Sequence, residues 1–171
     1  QAPPDTPSVI ALLMRLTDSL GNSRGVDWQA ITCAALLAVQ HVNGRDGRVV
    51  PELAGLKENF EMPHLLYDTG SSTRESLNAY YAARARGAKA VLGPAQSENT
   101  KFVAQVASSF QDGLPQLSYW STDSGLSNRR RYPYVSRIIY SNTQTAQRLA
   151  ESMYTSFGWK HFGLLYVNDA Y

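Results

Sequence analysis

The chain has 171 residues, 43% of them hydrophobic and 18% charged, which is enough apolar material for one domain with a well-buried core and excludes a disordered polymer. Its formal net charge of +2 is too small to attract nucleic acid or an acidic membrane on electrostatics alone, and its one basic run, Arg129-Arg130-Arg131, reads as a solvated loop. No apolar stretch approaches the roughly 20 residues that span a bilayer, and the single cysteine, Cys33, allows no disulfide within these residues.

Residues 1–7 form a Pro-rich leader, expected to be disordered, with neither the basic nor the apolar region of a signal peptide; it reads as a mature or engineered N-terminus. Residues 8–16 are an apolar run without alternation, as in a strand buried on both faces. A polar loop leads to an amphipathic helix from about Asp27, with Trp28, Ile31, Ala35, Ala38, Val39 and Val42 at helical spacing, ended by Asn43-Gly44. After a loose segment, residues 62–67 form a second strand. Ser72-Thr73-Arg74-Glu75 then has the spacing of a capping box, opening a helix that Gly87 stops.

Residues 88–92 are a third strand, followed by the loop Gly93-Pro94-Ala95-Gln96-Ser97 and a helix marked by Phe102, Val103, Val106, Ala107 and Phe110. Residues 115–119 are a fourth strand and residues 132–140 a fifth. A second cap, Ser141-Asn142-Thr143-Gln144, opens a helix whose apolar stripe of Ala146, Leu149, Ala150, Met153, Tyr154 and Phe157 is the cleanest in the chain. Residues 161–167 read as a sixth strand.

This alternation predicts an α/β fold, a doubly wound, mostly parallel sheet with helices on both faces. Ligands in such sheets sit beyond the carboxyl ends of strands, which singles out the loops after Leu16, at 93–97 and at 120–126. Ser97 is either an N-cap or a hydroxyl donor beside an anion at the helix N-terminus. The turn Ser118-Tyr119-Trp120-Ser121-Thr122-Asp123 is either the aromatic, polar lining of a small-molecule site or a surface loop with one aromatic tucked inward. Nucleotide-phosphate loops and the nucleophile elbow are absent. His41, His64 and His161 lack ligand-like spacing, and Asp68 reads as a turn residue, so no catalysis, cofactor or metal is expected.

Val91-Leu92-Gly93-Pro94-Ala95-Gln96-Ser97, Leu114-Pro115-Gln116-Leu117-Ser118-Tyr119, Leu126-Ser127, Tyr132-Pro133-Tyr134-Val135-Ser136-Arg137, Gly158-Trp159 and the terminal Leu165-Tyr166-Val167-Asn168-Asp169-Ala170-Tyr171 occur in order. Together they resemble the receptor-family ligand-binding region. This is the type I periplasmic-binding-protein fold of class C G-protein-coupled receptors, natriuretic peptide receptors and ionotropic glutamate receptor amino-terminal domains. The resemblance implies two lobes hinged around a small ligand, with residues 8–138 as lobe 1 and residues 139–171 as the crossover and start of a truncated lobe 2.

It further implies that Ser97 holds the α-carboxylate of an amino-acid-like ligand. Thr122 and the backbone at Trp120 would hold the amine and carboxylate, and Gln96, Ser121 and Asn142 would line the same cleft. The arginine with which glutamate sensors grip an acidic side chain is replaced by Ile31, and an acidic group that meets the ligand's amine by Asn142. Cys33 lacks the partner that clips lobe 1 in related animal receptors. Trp120, where smaller residues are usual, narrows the cleft or stacks on a planar ligand.

The implied function is an extracellular or periplasmic sensing module that signals by lobe closure. It would form a homodimer through helices 73–86 and 97–110, with Tyr80 or Tyr81 either buried on the sheet or, where exposed, contributing to the contact, and would reach the membrane only through other parts of a longer protein. The alternatives are a soluble solute-binding protein of a transporter and a ligand-free assembly ectodomain. An enzyme of flavodoxin-like or nucleotide-binding type comes last.

Overall fold

The computed structural model describes residues 8–18, 20–22, 25–163 and 165; the leader at 1–7 lies outside them. Among the described residues the strands are β1 (Ile10–Met14), β2 (His64–Asp68), β3 (Ala90–Leu92), β4 (Gln116–Ser118) and β5 (Val135–Arg137). The α-helices are α1 (Val26–Asn43), α2 (Thr73–Ala85), α3 (Ser97–Ser108) and α4 (Asn142–Thr155). Every strand pairing is parallel, in the order β2-β1-β3-β4-β5. The doubly wound α/β reading is therefore correct for these residues.

β1 is the centre of the molecule because it is apolar on both sides. Ala11 and Leu13 pack with Ala79, Tyr80 and Ala83 of α2 and with Val103 and Ala107 of α3. Leu12 and Met14 point the other way, to Trp28, Ile31, Ala35 and Leu36 of α1. A strand with helices over both faces needs apolar residues at consecutive positions, which is why residues 8–16 show no alternation. The inward stripe of α1 includes Leu36 and Val39, whereas Ala38, expected on that stripe, is exposed. One residue of rotation, about 100°, carries it past the contact.

Three further expectations change. Ser72 is the N-cap of α2, but its side chain makes no cap bond; the Ser76 hydroxyl donates to its carbonyl at 2.8 Å and Glu75 pairs with Arg74 at 3.0 Å instead. The box at α4 does form, Ser141 Oγ accepting from Gln144 N–H at 3.2 Å while Gln144 Oε1 accepts from Ser141 N–H at 3.0 Å. Of the expected sixth strand, residues 161–163 and 165 carry no strand and the others lie outside the described residues. The stripe of α4 stands in solvent, with Leu149, Tyr154 and Phe157 each more than half exposed at 55%, 64% and 66%.

The sheet's direction of winding reverses between β1 and β3, the place where open α/β sheets receive ligands. Two devices shape that edge. Asp68, at the end of β2, accepts hydrogen bonds from Leu16 N–H at 3.0 Å, Thr17 N–H at 3.2 Å, the Thr17 hydroxyl at 2.6 Å and Gly70 N–H at 2.9 Å, fixing the exit of β1. Gly93, at the end of β3, has φ +106°, and a Cβ there would lie 2.3 Å from the carbonyl oxygen of Leu13. Only glycine combines that conformation with so close an approach to β1.

Gly93→Ala is expected to lower unfolding stability by about 2–4 kcal/mol, from backbone strain and overpacking together, measured by chemical denaturation. Burial raises the pKa of Asp68, but hydrogen bonds from Thr17, Gly70 and Leu16 outweigh it and hold the carboxyl below its ordinary 3.8. A depressed folded pKa means that this contribution is complete above the unfolded value and fades as pH falls through the folded one. Asp68→Asn is therefore expected to flatten the acid limb of a stability-versus-pH curve and to leave its shape near neutrality unchanged.

Candidate functional site

β3 stops at Leu92, and the next three carbonyls turn inward, away from the ladder. Buried carbonyls need donors, and each of these finds one on a side chain. Gln116 Nε2 donates to Gly93 O at 3.1 Å. Thr100 Oγ1 and Ser118 Oγ both reach Pro94 O, at 3.0 and 3.2 Å, and Ser121 Oγ reaches Ala95 O at 3.0 Å. The three hydroxyls also touch one another, Thr100 to Ser121 and Ser118 to Ser121, both at 2.7 Å. This buried cluster fastens the loop after β3 to the loop after β4 and to the first turn of α3. Ser121, expected to line the cleft, has a fully buried side chain engaged within this cluster, so only its backbone can face a ligand.

α3 therefore begins at the sheet edge. Its N-cap is Gln96, not Ser97, and Gln96 makes no side-chain cap bond. Gln96 Oε1 instead accepts from Asn99 at 2.8 Å, and Asn99 Oδ1 accepts from Thr73 at 2.8 Å, which links the first turns of α2 and α3. The N–H groups of the first turn of α3 thus have no side-chain cap and keep the positive end of the helix available to an anion. Glu98, exposed in that turn, offsets part of this potential.

Ser97 is 4% exposed, and its Oγ accepts from Asp123 N–H at 3.2 Å. The bond uses the oxygen and leaves the hydroxyl proton to donate. It also brings the loop after β4 onto the helix start, Thr122 being the residue before the bonded Asp123. The Thr122 hydroxyl oxygen is buried and has no hydrogen-bond partner among the described residues; such an orphan costs about 1–3 kcal/mol. The Thr122 carbonyl accepts from Asn142 N–H at 2.8 Å, so the first residue of α4 also meets the site, through its backbone.

Asp123 holds this loop in place. Its Oδ1 accepts from Gly125 N–H at 2.6 Å and its Oδ2 from Lys101 at 2.5 Å, while Arg137 donates to its carbonyl at 2.7 Å. Ser124 and Thr143 hydroxyls meet at 2.6 Å, a second tie between the loop and α4.

On the α1 side of the edge, Tyr119 is buried, and burial pushes its phenol well above the ordinary range, keeping it protonated. Trp120 is 45% exposed and meets Trp28 edge to face, with ring centroids 5.6 Å apart. Arg15 lies over Trp28, 4.7 Å from its centroid, and its Nε donates to Ser71 Oγ at 2.7 Å. Ile31 is partly buried and packs with Trp28, Ala35 and Leu36 in the β1–α1 core.

The structure thus gathers Ser97, Thr122 and the backbone of Asn142, sets Trp120 against Trp28, and turns Gln96 toward Asn99. Thr100, Asp123, Trp28 and Arg15 were not expected at this site. Thr100 alone carried a signal, a hydroxyl three residues after Ser97 on the inward side of the helix. Among the described residues, no group of His, Cys, Asp and Glu could hold a metal ion, and no helix is long and apolar enough to cross a membrane.

The hydroxyl cluster predicts unequal costs. Ser121→Ala removes the side-chain donor to Ala95 O found among the described residues and is expected to lower stability by about 1–3 kcal/mol. Thr100→Val leaves Ser118 on Pro94 O and is expected to cost less, at the lower end of that range. Equilibrium denaturation of the two variants checks the order.

The family described as the receptor family ligand binding region matches residues 30–171. Metabotropic glutamate receptor 8 of Homo sapiens is 33% identical over 75 residues, which is 44% of this chain and 8% of that receptor, and its Mus musculus counterpart gives the same figures. Metabotropic glutamate receptor-like protein E of Dictyostelium discoideum is 27% identical over 81 residues, 47% of this chain and 10% of that protein. The matched segments span a tenth or less of the length of these relatives.

Proposed function

We propose a sensing role for this chain, which belongs to the receptor family ligand binding region: it binds a small amino-acid-like molecule or carboxylate in an interlobe cleft and signals by lobe closure. The family binds ligands and does not transform them, so the chain is a non-catalytic, periplasmic-binding-protein-like module. Such modules work on the extracellular or periplasmic face of a membrane, and the membrane link belongs to other parts of a longer protein.

One observation carries the ligand reading. A buried serine with a hydroxyl proton to give and a buried threonine hydroxyl with no partner stand together at an uncapped helix N-terminus. A carboxylate supplies what all three lack, an acceptor for hydroxyl and backbone donors and a negative charge for the helix dipole. The ligand's amine then faces Trp120 carbonyl and Asn142. The names of the relatives speak of glutamate, but the apolar Ile31 stands where the resemblance implies an arginine, which argues against an acidic side chain as the preferred one.

Residues 8–138 form lobe 1 on this reading, and residues 139–171 cross into lobe 2. The hydrogen bonds from Asn142 to Thr122 and between Thr143 and Ser124 make the crossover part of the ligand loop, so lobe movement and ligand contact share the same atoms. The outer faces of α2 and α3 serve as a homodimer contact, with exposed Tyr81 and Phe102 as its apolar members; Tyr80 is fully buried and takes no part.

Calorimetric titration with a panel of L-amino acids tests the site. Ser97→Ala is expected to weaken binding about 10- to 100-fold, the range for a hydrogen bond to a charged group, and Thr122→Val to weaken it in the same direction with little loss of stability. A bound amino acid whose affinity ignores both substitutions refutes the assignment.

A further inference from the structure

We propose that the ligand's distal group is a flat aromatic ring received on Trp120; this rests on Ser97 and Thr122 as the site of the ligand's carboxylate. Trp120 lies two residues before Thr122, on the loop that Asp123 N–H ties to Ser97 at the helix start. Its neighbours Tyr119 and Ser121 are buried, whereas Trp120 keeps 45% of its surface in solvent. A half-exposed indole at a ligand-binding edge is apolar surface awaiting cover.

That indole is also held in advance. Trp28 meets it edge to face at 5.6 Å, Arg15 lies 4.7 Å from the centre of the Trp28 ring, and Ser71 fixes Arg15 through a 2.7 Å hydrogen bond. Ser71 in turn donates to Thr17 O at 3.2 Å. Residues from the segment after β1, the β2–α2 loop, α1 and the loop after β4 thus form one wall. Its outermost member needs little ordering when a ligand arrives, and preorganisation of this kind strengthens binding.

The alternatives fit the wall less well. An acidic distal group calls for a cation, and the guanidinium of this wall, Arg15, is laid on Trp28 and bonded to Ser71. Glycine or serine would leave the indole uncovered. A ring offset-stacked or tilted on Trp120 covers it and adds the geometric preference of an aromatic pair.

The test titrates the full chain with L-phenylalanine, L-tryptophan, L-glutamate and glycine, using wild type, Trp120→Ala, Trp120→Phe and Ser97→Ala, with circular dichroism to confirm folding. The expected result is that the aromatic amino acids bind at least about tenfold more tightly than glutamate or glycine. Trp120→Ala should erase that ratio, Trp120→Phe should keep most of it, and Ser97→Ala should weaken all ligands together. If glutamate or glycine binds wild type as tightly as phenylalanine, or the ratio survives Trp120→Ala, the aromatic assignment is wrong while the carboxylate site stands. If no amino acid binds, or Ser97→Ala changes nothing, the carboxylate reading fails and takes this proposal with it.

Discussion

Three carbonyl groups, those of Gly93, Pro94 and Ala95, leave the sheet where β3 ends and have to be satisfied inside the protein. The hydrogen bonds that receive them come from Gln116, Thr100, Ser118 and Ser121, on β4, α3 and the following loop. Apolar side chains at those four places would leave the carbonyls without donors, and the turn could not lie against β1. Much of the site's geometry follows from this requirement. Ser97 sits at the sheet edge because the turn is short and buried, and Thr122 lies beside it because Ser121 is anchored below.

Charge plays a supporting part. Asp123 is bonded through its carboxylate to Lys101 and Gly125 and through its backbone to Ser97 and Arg137. Its negative charge is thus matched before any ligand arrives, and the positive end of α3 is not cancelled by it. Burial of hydroxyls, more than of ions, sets the local structure of this loop.

The fold was legible because the element order is strict and β1 lacks alternation, a pattern that two covered faces require. Strand limits were less so: β3, β4 and β5 are three residues long, and their flanks look like strand in composition. Ser97 could be found as a helix start beside a glycine turn, but its hydroxyl partner lies in another loop and no local rule names it. Ser121 reads as an exposed polar loop residue until the Ala95 carbonyl is placed against it. Trp28 reads as an ordinary member of a helix stripe, and only the packing of α1 on the sheet shows that it backs Trp120. The two capping boxes have equivalent spacing, yet only the one at α4 closes, because Glu75 has Arg74 at hand and Gln144 has no competing charge.

The apolar face of α4 bears on how the protein is made. The five strands among the described residues all precede it in the chain, so the core of the sheet can close while later residues are still being synthesised. α4 is held by its own capping box and by hydrogen bonds from its first turn to Thr122 and Ser124, not by burial of its apolar stripe, and such local ties leave a helix of 14 residues marginal in water. Until Leu149, Tyr154 and Phe157 are covered, they offer a sticky surface to chaperones and to other nascent chains alike. The interval between completion of the sheet and the covering of this helix is the stage of biogenesis at which aggregation competes with folding.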